Sequence, residues 1–343
     1  MTELKRALIF GAGQRVREAA LPAFQQAEEL FEVKGLVARS ERELTVGQRT
    51  YPVRAMSDLG PEDLEGVDLV FLCVSKDAIP KVLRGLAALR PAGSHLLIDT
   101  PVVRFKHFRA TRHLAAFRGV SVAEDCTTLP WMPLLGECLR AGDIGRLERI
   151  VFDGSAWAYH GLAMARFLSG AALRSGVRKH LGGERFHRRL RFGRVEVEVQ
   201  EPRDYTTGKL LLEGERGCIA DHPAPEGEQR TWLELVPLRE QGRFTGVALG
   251  ERRVLLDEKE QALVRDADEE ARVTGLMEPS KRVGFLRFLR RLHAGQEAYP
   301  LASGLDDMVA DYHLEKFGRF VANPFTTPRG GLGRWLLCRA TKG

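Results

Sequence analysis

The stretch of sequence that decides the fold is LKRALIFGAGQRVREAALPAFQQAEEL, residues 4–30. It opens with a short apolar run, Leu4 to Phe10, which ends at Gly11-Ala12-Gly13 and is followed by helix-forming residues from Glu18 to Leu30. An apolar run that stops at glycine and gives way to a helical pattern is typical of a strand, a tight turn and a helix. We therefore predict that the chain begins with the first unit of a parallel α/β sheet.

Further strand patterns follow at spacings that leave room for helices such as Ala78 to Leu89. These apolar runs cover Glu32–Ala38, Val67–Val74, His95–Ile98 and Val120–Ala123. Strands that alternate with helices form parallel sheets, because each crossover helix returns the chain to the same edge of the sheet. The pattern predicts a doubly wound α/β domain over residues 1–125.

After Leu147 the pattern changes to runs whose side chains alternate in polarity, with turn-rich stretches between them. The runs are Glu148–Gly154, Arg189–Gln200, Lys209–Glu213 and Thr231–Pro237, and two amphipathic helices, Ser280–Ala294 and Leu305–Val321, follow. Alternation of this kind is typical of antiparallel strands with one buried face. We predict an α+β second domain, residues 126–343, built on a large antiparallel sheet.

The composition indicates a soluble globular protein of 343 residues, 44% of them hydrophobic and 29% charged. No apolar run approaches the roughly 20 residues that span a bilayer, and the charged start, Met1 to Arg6, is unlike a signal peptide. The five cysteines, an odd number without a CxxC pair, predict neither a disulfide framework nor a zinc site. We therefore expect a cytoplasmic protein with reduced cysteines, no membrane contact and no bound metal.

The chain is basic, with a formal net charge of +6, and cationic residues are dense from Arg178 to Arg194. Such a run suits either a polyanionic partner or a solvated surface. It alternates with Leu and Phe as a strand would, and it contains no nucleic-acid-binding motif. We therefore expect a small-molecule substrate and no nucleic-acid partner.

The glycine loop suggests a binding function. At a strand-to-helix turn, glycine lets the backbone approach a pyrophosphate, which the N–H groups and dipole of the helix N-terminus stabilise. We predict that Gly11, Gly13, Gln14 and Arg15 bind a dinucleotide. Val16 stands at the third glycine of the GxGxxG pattern, so an ordinary strand-to-helix turn is the alternative.

The end of the second strand indicates which dinucleotide is bound. An acidic residue that bonds the adenosine ribose is usual there, but this chain has Arg39 and Ser40, with Arg42 just beyond. A guanidinium and a hydroxyl attract a 2′-phosphate. We predict NADP(H), the alternative being that Arg39 and Ser40 only begin a solvated loop.

Four segments of the chain resemble the Gfo/Idh/MocA family of glucose-fructose oxidoreductases and inositol dehydrogenases. They are Ala7–Phe24 (ALIFGAGQRVREAALPAF), Val67–Val74 (VDLVFLCV), Leu89–Val103 (LRPAGSHLLIDTPVV) and Leu139–Ile150 (LRAGDIGRLERI). In layout the resemblance covers nearly the whole chain. It implies a Rossmann domain followed by an α+β domain, with a cofactor site that also takes in Val74, Ser75, Thr100 and Pro101.

The family's Glu-Lys-Pro triplet falls at Asp99-Thr100-Pro101, so the resemblance implies that the lysine is lost. In sugar-oxidising members that lysine bridges cofactor and substrate and helps to move the hydroxyl proton. Threonine neither carries the charge nor titrates usefully. Ordinary alcohol oxidation is therefore not the expected reaction.

The resemblance also locates candidate catalytic residues. The family places an Asp and a His four residues apart on one helix; His160 matches the histidine, and Ala156 stands in place of the Asp. Biliverdin reductases and thiazolinyl imine reductases also lack the triplet lysine, and their reactions need an acid or a charge stabiliser. We name His160, Tyr159, Asp99 and Asp125 as candidates. A structural role is the alternative for His160, and a helix N-cap is the alternative for Asp125.

Three functions are compatible with these residues. The first is an NADP(H)-dependent reductase that delivers hydride to a C=N, C=C or C=O group of a small organic substrate. The second is a sugar or polyol dehydrogenase with a rearranged proton relay, and the third is a non-catalytic nucleotide-binding sensor or scaffold. The sequence names neither the substrate nor the direction of the reaction.

The resemblance further implies a homodimer or tetramer that pairs through the second-domain sheet. We expect the pairing face to lie on Arg189–Gln200. Its alternating apolar residues are Leu190, Phe192, Val195, Val197 and Val199.

Overall fold

The structure, a computed structural model, describes residues 3–156, 158–323 and 326–328. The chain divides into two compact units: the first contains residues up to Glu124 together with Phe285–Val309, and the second contains Asp125–Gly284 and Ala310–Thr326. The predicted second domain, residues 126–343, wrongly included Phe285–Val309. The Phe285 ring packs edge-on against Phe71 of the first unit, with ring centroids 5.1 Å apart, a contact that helical periodicity does not reveal.

The first unit is built on a parallel sheet. Its strands are β1 (Lys5–Phe10), β2 (Phe31–Ala38), β3 (Arg42–Val46), β4 (Arg49–Ala55), β5 (Leu69–Leu72), β6 (His95–Asp99) and β7 (Gly119–Ala123). In the described ranges they form seven strands in the order β3-β4-β2-β1-β5-β6-β7, all pairs being parallel except β3 with β4. A π-helical turn, Val16–Ala20, leads into helix α1 (Leu21–Gln26), and α2 (Ile79–Ala88) follows β5. The predicted doubly wound α/β fold is confirmed.

The second unit is built on a mostly antiparallel sheet. Its strands are β8 (Leu147–Asp153), β9 (Leu173–Gly182), β10 (Arg185–Phe192), β11 (Val195–Glu201), β12 (Lys209–Gly214), β13 (Gly217–Ala220), β14 (Thr231–Glu240), β15 (Arg243–Leu249), β16 (Arg252–Leu255) and β17 (Arg319–Val321). Within the described residues they are ordered β16-β15-β14-β13-β12-β8-β11-β10-β9-β17. The pairs β8 with β11 and β13 with β14 are parallel. The predicted large antiparallel sheet is confirmed.

The later part of the chain also contains five helices within the described ranges. They are α3 (Met132–Ala141), α4 (Ala158–Ser169), α5 (Glu258–Ala262), α6 (Met277–His293) and α7 (Leu301–Phe317). The predicted helix Leu305–Val321 was too long at its C-terminal end. The chain leaves α7 at Gly318, whose φ of +66° is accessible to glycine, and enters β17.

The predicted strand Arg189–Gln200 is a hairpin of β10 and β11, which meet at Gly193, where φ is +58°. The apolar positions change from even to odd numbers across this turn, and a single strand cannot keep such positions on one face. The predicted pairing face is also wrong, because its side chains are buried within the chain on the side where α4 lies. They are Leu190, Phe192, Val195, Val197 and Val199.

The opposite face of this sheet carries ion pairs. Arg149 of β8 lies 3.2 Å from Glu198 of β11 and 2.6 Å from Glu213 of β12, and Arg191 lies 3.0 Å from Glu196. Charges of opposite sign therefore face each other across neighbouring strands.

Cys73, Cys126, Cys138 and Cys218 are buried free thiols. Cys338 lies outside the described residues. No helix in the part of the chain that the structure describes is both long and apolar enough to cross a bilayer.

Helix α6 begins in the second unit, where Gly284 lies against the short 3-10 turn Asp125–Thr127. A Cβ at Gly284 would lie 2.6 Å from the carbonyl oxygen of Asp125. The Thr128 hydroxyl also donates to the carbonyl oxygen of Gly284 at 2.8 Å. Glycine is therefore required for this close approach, which fixes the first two turns of α6 relative to Asp125.

We expect Gly284→Ala to lower the free energy of unfolding by about 1–3 kcal/mol, because the added methyl overlaps backbone that cannot move alone. The matched control is Gly93→Ala, since nothing lies within 4 Å of a Cβ there; it should stay within about 0.5 kcal/mol of the unmodified protein. Urea unfolding measures both. Equal unfolding midpoints for the two variants would contradict the close packing of α6.

Candidate functional site

The glycine loop connects β1 to the helical turn Val16–Ala20. Gly11 has φ of +128°, and a Cβ there would lie only 1.9 Å from the carbonyl oxygen of Cys73, so no other residue fits. Nothing lies within 4 Å of a Cβ built on Gly13, which leaves its backbone accessible. Val16, at the position of the third glycine, is fully buried. The loop therefore keeps the two glycines that admit a phosphate, while Val16 packs in the core.

The cationic residues after β2 lie near this loop. Arg42 donates from its guanidinium to the carbonyl oxygen of Ala12 at 3.2 Å, which brings the guanidinium beside the glycines. Arg39 and Ser40 are exposed at the end of β2. Gln14, predicted to bind the dinucleotide, donates from its side-chain amide to Glu18 at 2.8 Å. This end of the sheet therefore combines exposed glycine backbone with guanidinium groups.

Asp99 lies between two cations at the carboxyl end of β6. The Lys76 ammonium lies 3.2 Å from Asp99 Oδ2 and donates to the Asp99 carbonyl oxygen at 3.1 Å, while Arg15 Nε lies 3.6 Å from Oδ1. Burial alone would raise the pKa of Asp99, but Lys76 and Arg15, with a hydrogen bond from the Cys73 thiol, hold it below its ordinary range. Asp99 is therefore a carboxylate at neutral pH.

The remaining predicted cofactor residues follow two neighbouring strands, β6 and β5. Thr100 is buried and precedes a cis peptide bond to Pro101. Val74 is half-buried and Ser75 is exposed, in the segment between β5 and α2. The Ser75 carbonyl oxygen accepts a hydrogen bond from the Ala78 N–H at 2.8 Å, which closes the turn before α2.

A second polar cluster lies in the second unit around Lys281. Among the described residues Lys281 is the one lysine that the fold buries, at 7% exposure. Its ammonium donates to Glu278 Oε1 at 3.0 Å, one turn earlier on α6, and lies 5.3 Å from the centroid of the Tyr205 ring. Arg203 approaches the same carboxylate, with its Nη1 3.5 Å from Glu278 Oε1. We call Asp125, Cys126, His160, Arg203, Tyr205, Glu278 and Lys281 the lysine cluster.

Two predicted catalytic residues belong to this cluster. Asp125 is buried in the turn after β7, and its Oδ1 lies 3.9 Å from the Cys126 sulfur. A ring nitrogen of His160, in the first turn of α4, lies within 4.8 Å of the Cys126 sulfur. The Tyr159 ring packs on His160 with centroids 4.5 Å apart. Asp125 does not cap α3, which begins seven residues later at Met132 with Trp131 before it.

The lysine cluster keeps Lys281 charged. Burial alone would lower the pKa of Lys281, but the acidic groups of Cys126, Tyr205, Asp125 and Glu278 raise it above its usual value. Burial also raises the pKa of the Tyr205 phenol. At neutral pH the cluster therefore combines an ammonium with a neutral phenol, which suits stabilisation of negative charge better than removal of a proton.

The sequence analysis did not identify two lysines of these sites, Lys76 beside Asp99 and Lys281 beside Glu278. Lys76 lies four residues after β5, and only the fold brings it to Asp99. Lys281 lies in the predicted helix Ser280–Ala294. Glu278 lies two residues before that predicted helix and has the i, i+3 spacing to Lys281 of a helical ion pair. That spacing was a usable indication of contact between the two side chains, although it does not predict burial.

No protein-family model and no curated protein matches the sequence. Several solved structures match in fold. An oxidoreductase from Thermotoga maritima is 15% identical, with a TM-score of 0.60 over 93% of this chain and 98% of its own. Levoglucosan dehydrogenase, solved with NADH and L-sorbose, is 14% identical, with a TM-score of 0.61 over 94% and 99%. Scyllo-inositol dehydrogenase from Lactobacillus casei is 11% identical, with a TM-score of 0.59 over 93% and 98%.

The chain therefore has the fold of Gfo/Idh/MocA-type oxidoreductases, as the sequence resemblance implied. The three similar structures are matched over nearly their whole length.

We expect Asp99→Asn to destabilise the protein by about 1–3 kcal/mol at pH 7, because it leaves Lys76 and Arg15 without their shared carboxylate. The folded-state pKa of Asp99 is lowered, so its stabilisation is present above the unfolded aspartate pKa of about 3.9 and is lost as pH falls towards the folded value. The difference in free energy of unfolding between Asp99→Asn and the unmodified protein should shrink below about pH 4.

Denaturant unfolding at several pH values measures this difference. The matched control is Asp77→Asn, which removes an exposed carboxylate that pairs with Arg104 and Lys106 and should have little effect. If Asp99→Asn lowers the free energy of unfolding by the same amount from pH 7 to pH 3, the Asp99 charge does not stabilise the fold.

Proposed function

We propose that this chain is an NADP(H)-dependent reductase that delivers hydride to a C=N, C=C or C=O group of a small organic substrate. The observation that carries the proposal is the buried ammonium of Lys281, surrounded by acidic groups in the lysine cluster. It offers the charge that Thr100 lacks at the position of the family lysine. The likeness in fold to oxidoreductases supports the same class of reaction.

The residues of the glycine loop fit a dinucleotide. Gly11 permits the close approach to Cys73, the space at Gly13 is open, and the guanidinium of Arg42 lies beside the loop. Arg39 and Ser40 are exposed at the end of β2, and we propose that with Arg42 they bind a 2′-phosphate. A bound nicotinamide supplies the hydride in reactions of this class.

The lysine cluster would act on the substrate. Hydride addition to an unsaturated group leaves negative charge on nitrogen, oxygen or carbon, and a fixed ammonium lowers the energy of that charge. We assign this role to Lys281. His160 is the proposed proton donor, because an imidazolium can protonate the reduced atom. Tyr205 and Glu278 act as positioning residues for Lys281, since both lie next to its ammonium.

The protonated state of Lys281 favours a reductase over a sugar dehydrogenase. Alcohol oxidation needs a base that takes the hydroxyl proton, whereas the raised pKa of Lys281 keeps it protonated. Asp99 is engaged by Lys76 and Arg15, so it is not an independent base. The polyol dehydrogenase alternative would therefore depend on His160 alone.

We expect the protein to bind NADPH at least tenfold more tightly than NADH, and Arg39→Asp to reverse the preference, because a carboxylate repels a 2′-phosphate and accepts bonds from a ribose diol. Titration of cofactor fluorescence measures both affinities. Arg90→Asp, at a residue outside this loop, is the charge-matched control and should bind like the unmodified protein. Equal affinity for both cofactors in the unmodified protein would contradict the assignment of NADP(H).

We expect Lys281→Met to lower kcat/KM for NADPH oxidation by about 10²–10³-fold, as for removal of a preorganised stabiliser of transition-state charge. Lys281→Arg keeps the charge and should retain more activity than Lys281→Met. The assay follows NADPH consumption with a panel of cyclic imines, enones and carbonyl compounds. NADPH affinity and the thermal unfolding midpoint, measured on each variant, separate a loss of chemistry from a loss of folding.

His160→Asn tests the proton donor in the same assay, and unchanged turnover would remove His160 from that role. Full activity of Lys281→Met would contradict the proposed mechanism. Tight binding of NADPH without turnover of any compound in the panel would instead favour the sensor or scaffold function.

A further inference from the structure

The second unit contains a cleft of about 790 Å³ that the proposed function does not use. It is formed by the end of α3, the end of α4 with the segment that follows, and the hairpin turn between β10 and β11. Its volume falls within the range that small-molecule sites occupy.

The charge of the cleft is of one sign. Of the residues that the structure describes, four arginines and no acidic residue line it: Arg140, Arg146, Arg174 and Arg194. Arg146 is neutralised by Glu215, 2.5 Å away. In the described part of the chain, the other three guanidinium groups have no carboxylate within ion-pair distance. Three uncompensated cations around one concavity attract an anion, and guanidinium groups bind phosphate or carboxylate in bidentate fashion.

The floor of the cleft is apolar. It is lined by Leu139, Leu147, Phe167, Phe192 and Val195. Phe167 is 39% exposed, which is unusual for a phenylalanine, whereas Phe192 is fully buried. A ligand that covered Phe167 would gain from removing apolar surface from water. A simple inorganic anion would satisfy the arginines and leave this floor exposed.

We propose that the cleft binds a small amphiphilic anion, a phosphate or carboxylate headgroup attached to an apolar body. The headgroup contacts Arg140, Arg174 and Arg194, and the apolar body covers Phe167. The cleft has the volume of a small-molecule site, and we therefore propose a free molecule rather than a membrane surface as its ligand. The proposal is independent of the reductase function, since none of these residues belongs to the glycine loop or to the lysine cluster.

The test is titration calorimetry with decyl phosphate below its micelle-forming concentration. Inorganic phosphate and decanol represent the headgroup and the tail alone. We expect decyl phosphate to bind at least tenfold more tightly than either of them. Replacing Arg140, Arg174 and Arg194 together by alanine should weaken binding at least tenfold, and Phe167→Ala should weaken binding of decyl phosphate without changing that of inorganic phosphate.

The matched control replaces Arg185, Arg243 and Arg253 together by alanine. These three are exposed strand residues outside the cleft, so the control removes the same charge and should bind like the unmodified protein. Equal weakening in both triple variants, or no binding by the unmodified protein, would overturn the proposal. Anionic vesicles that bind through the same arginines and displace decyl phosphate would overturn it in favour of a membrane surface. Urea unfolding of each variant verifies that the fold is intact.

Discussion

The second unit depends on the burial of one ammonium group. Removing an ammonium from water costs several kcal/mol unless nearby groups compensate it. Lys281 is compensated by the carboxylates of Glu278 on its own helix and of Asp125 in the turn after β7. These segments are far apart in sequence, so each must hold its position for the charge to remain buried. Gly284 makes this possible, because only glycine lets α6 lie against the carbonyl oxygen of Asp125.

In the first unit the group held in its charged state is a carboxylate rather than an ammonium. There a carboxylate, Asp99, is held at the end of β6 by Lys76 and Arg15, and its pKa is lowered where that of Lys281 is raised. Both clusters therefore fix a charged state at neutral pH instead of providing a group that titrates there. Histidine is the side chain that most often serves as a general acid or base, and among the residues we assign to the reaction His160 is the histidine. This is why we assign the proton to it.

The sequence was sufficient for the sheets and insufficient for the contacts between segments. The strand, glycine turn and helix around Gly11 follow from local sequence patterns, and similar patterns mark the later strands. The doubly wound sheet could therefore be predicted. The sequence also encodes the turn at Gly193, because the buried apolar residues have even numbers before it and odd numbers after it. The approach of Lys76 to Asp99 and the burial of Lys281 depend on how distant segments pack, and no spacing along the chain carries that information.

A lysine buried among acidic groups is not what stability alone would select. Replacing such a cluster by apolar residues of similar volume is often neutral or stabilising. Perturbed pKa values and partly buried charges concentrate where chemistry needs them. Thr100 by itself suggests that catalysis has been lost, because the family lysine is absent. The buried ammonium of Lys281 is the observation on which we base the opposite proposal, that the chain still acts on a substrate.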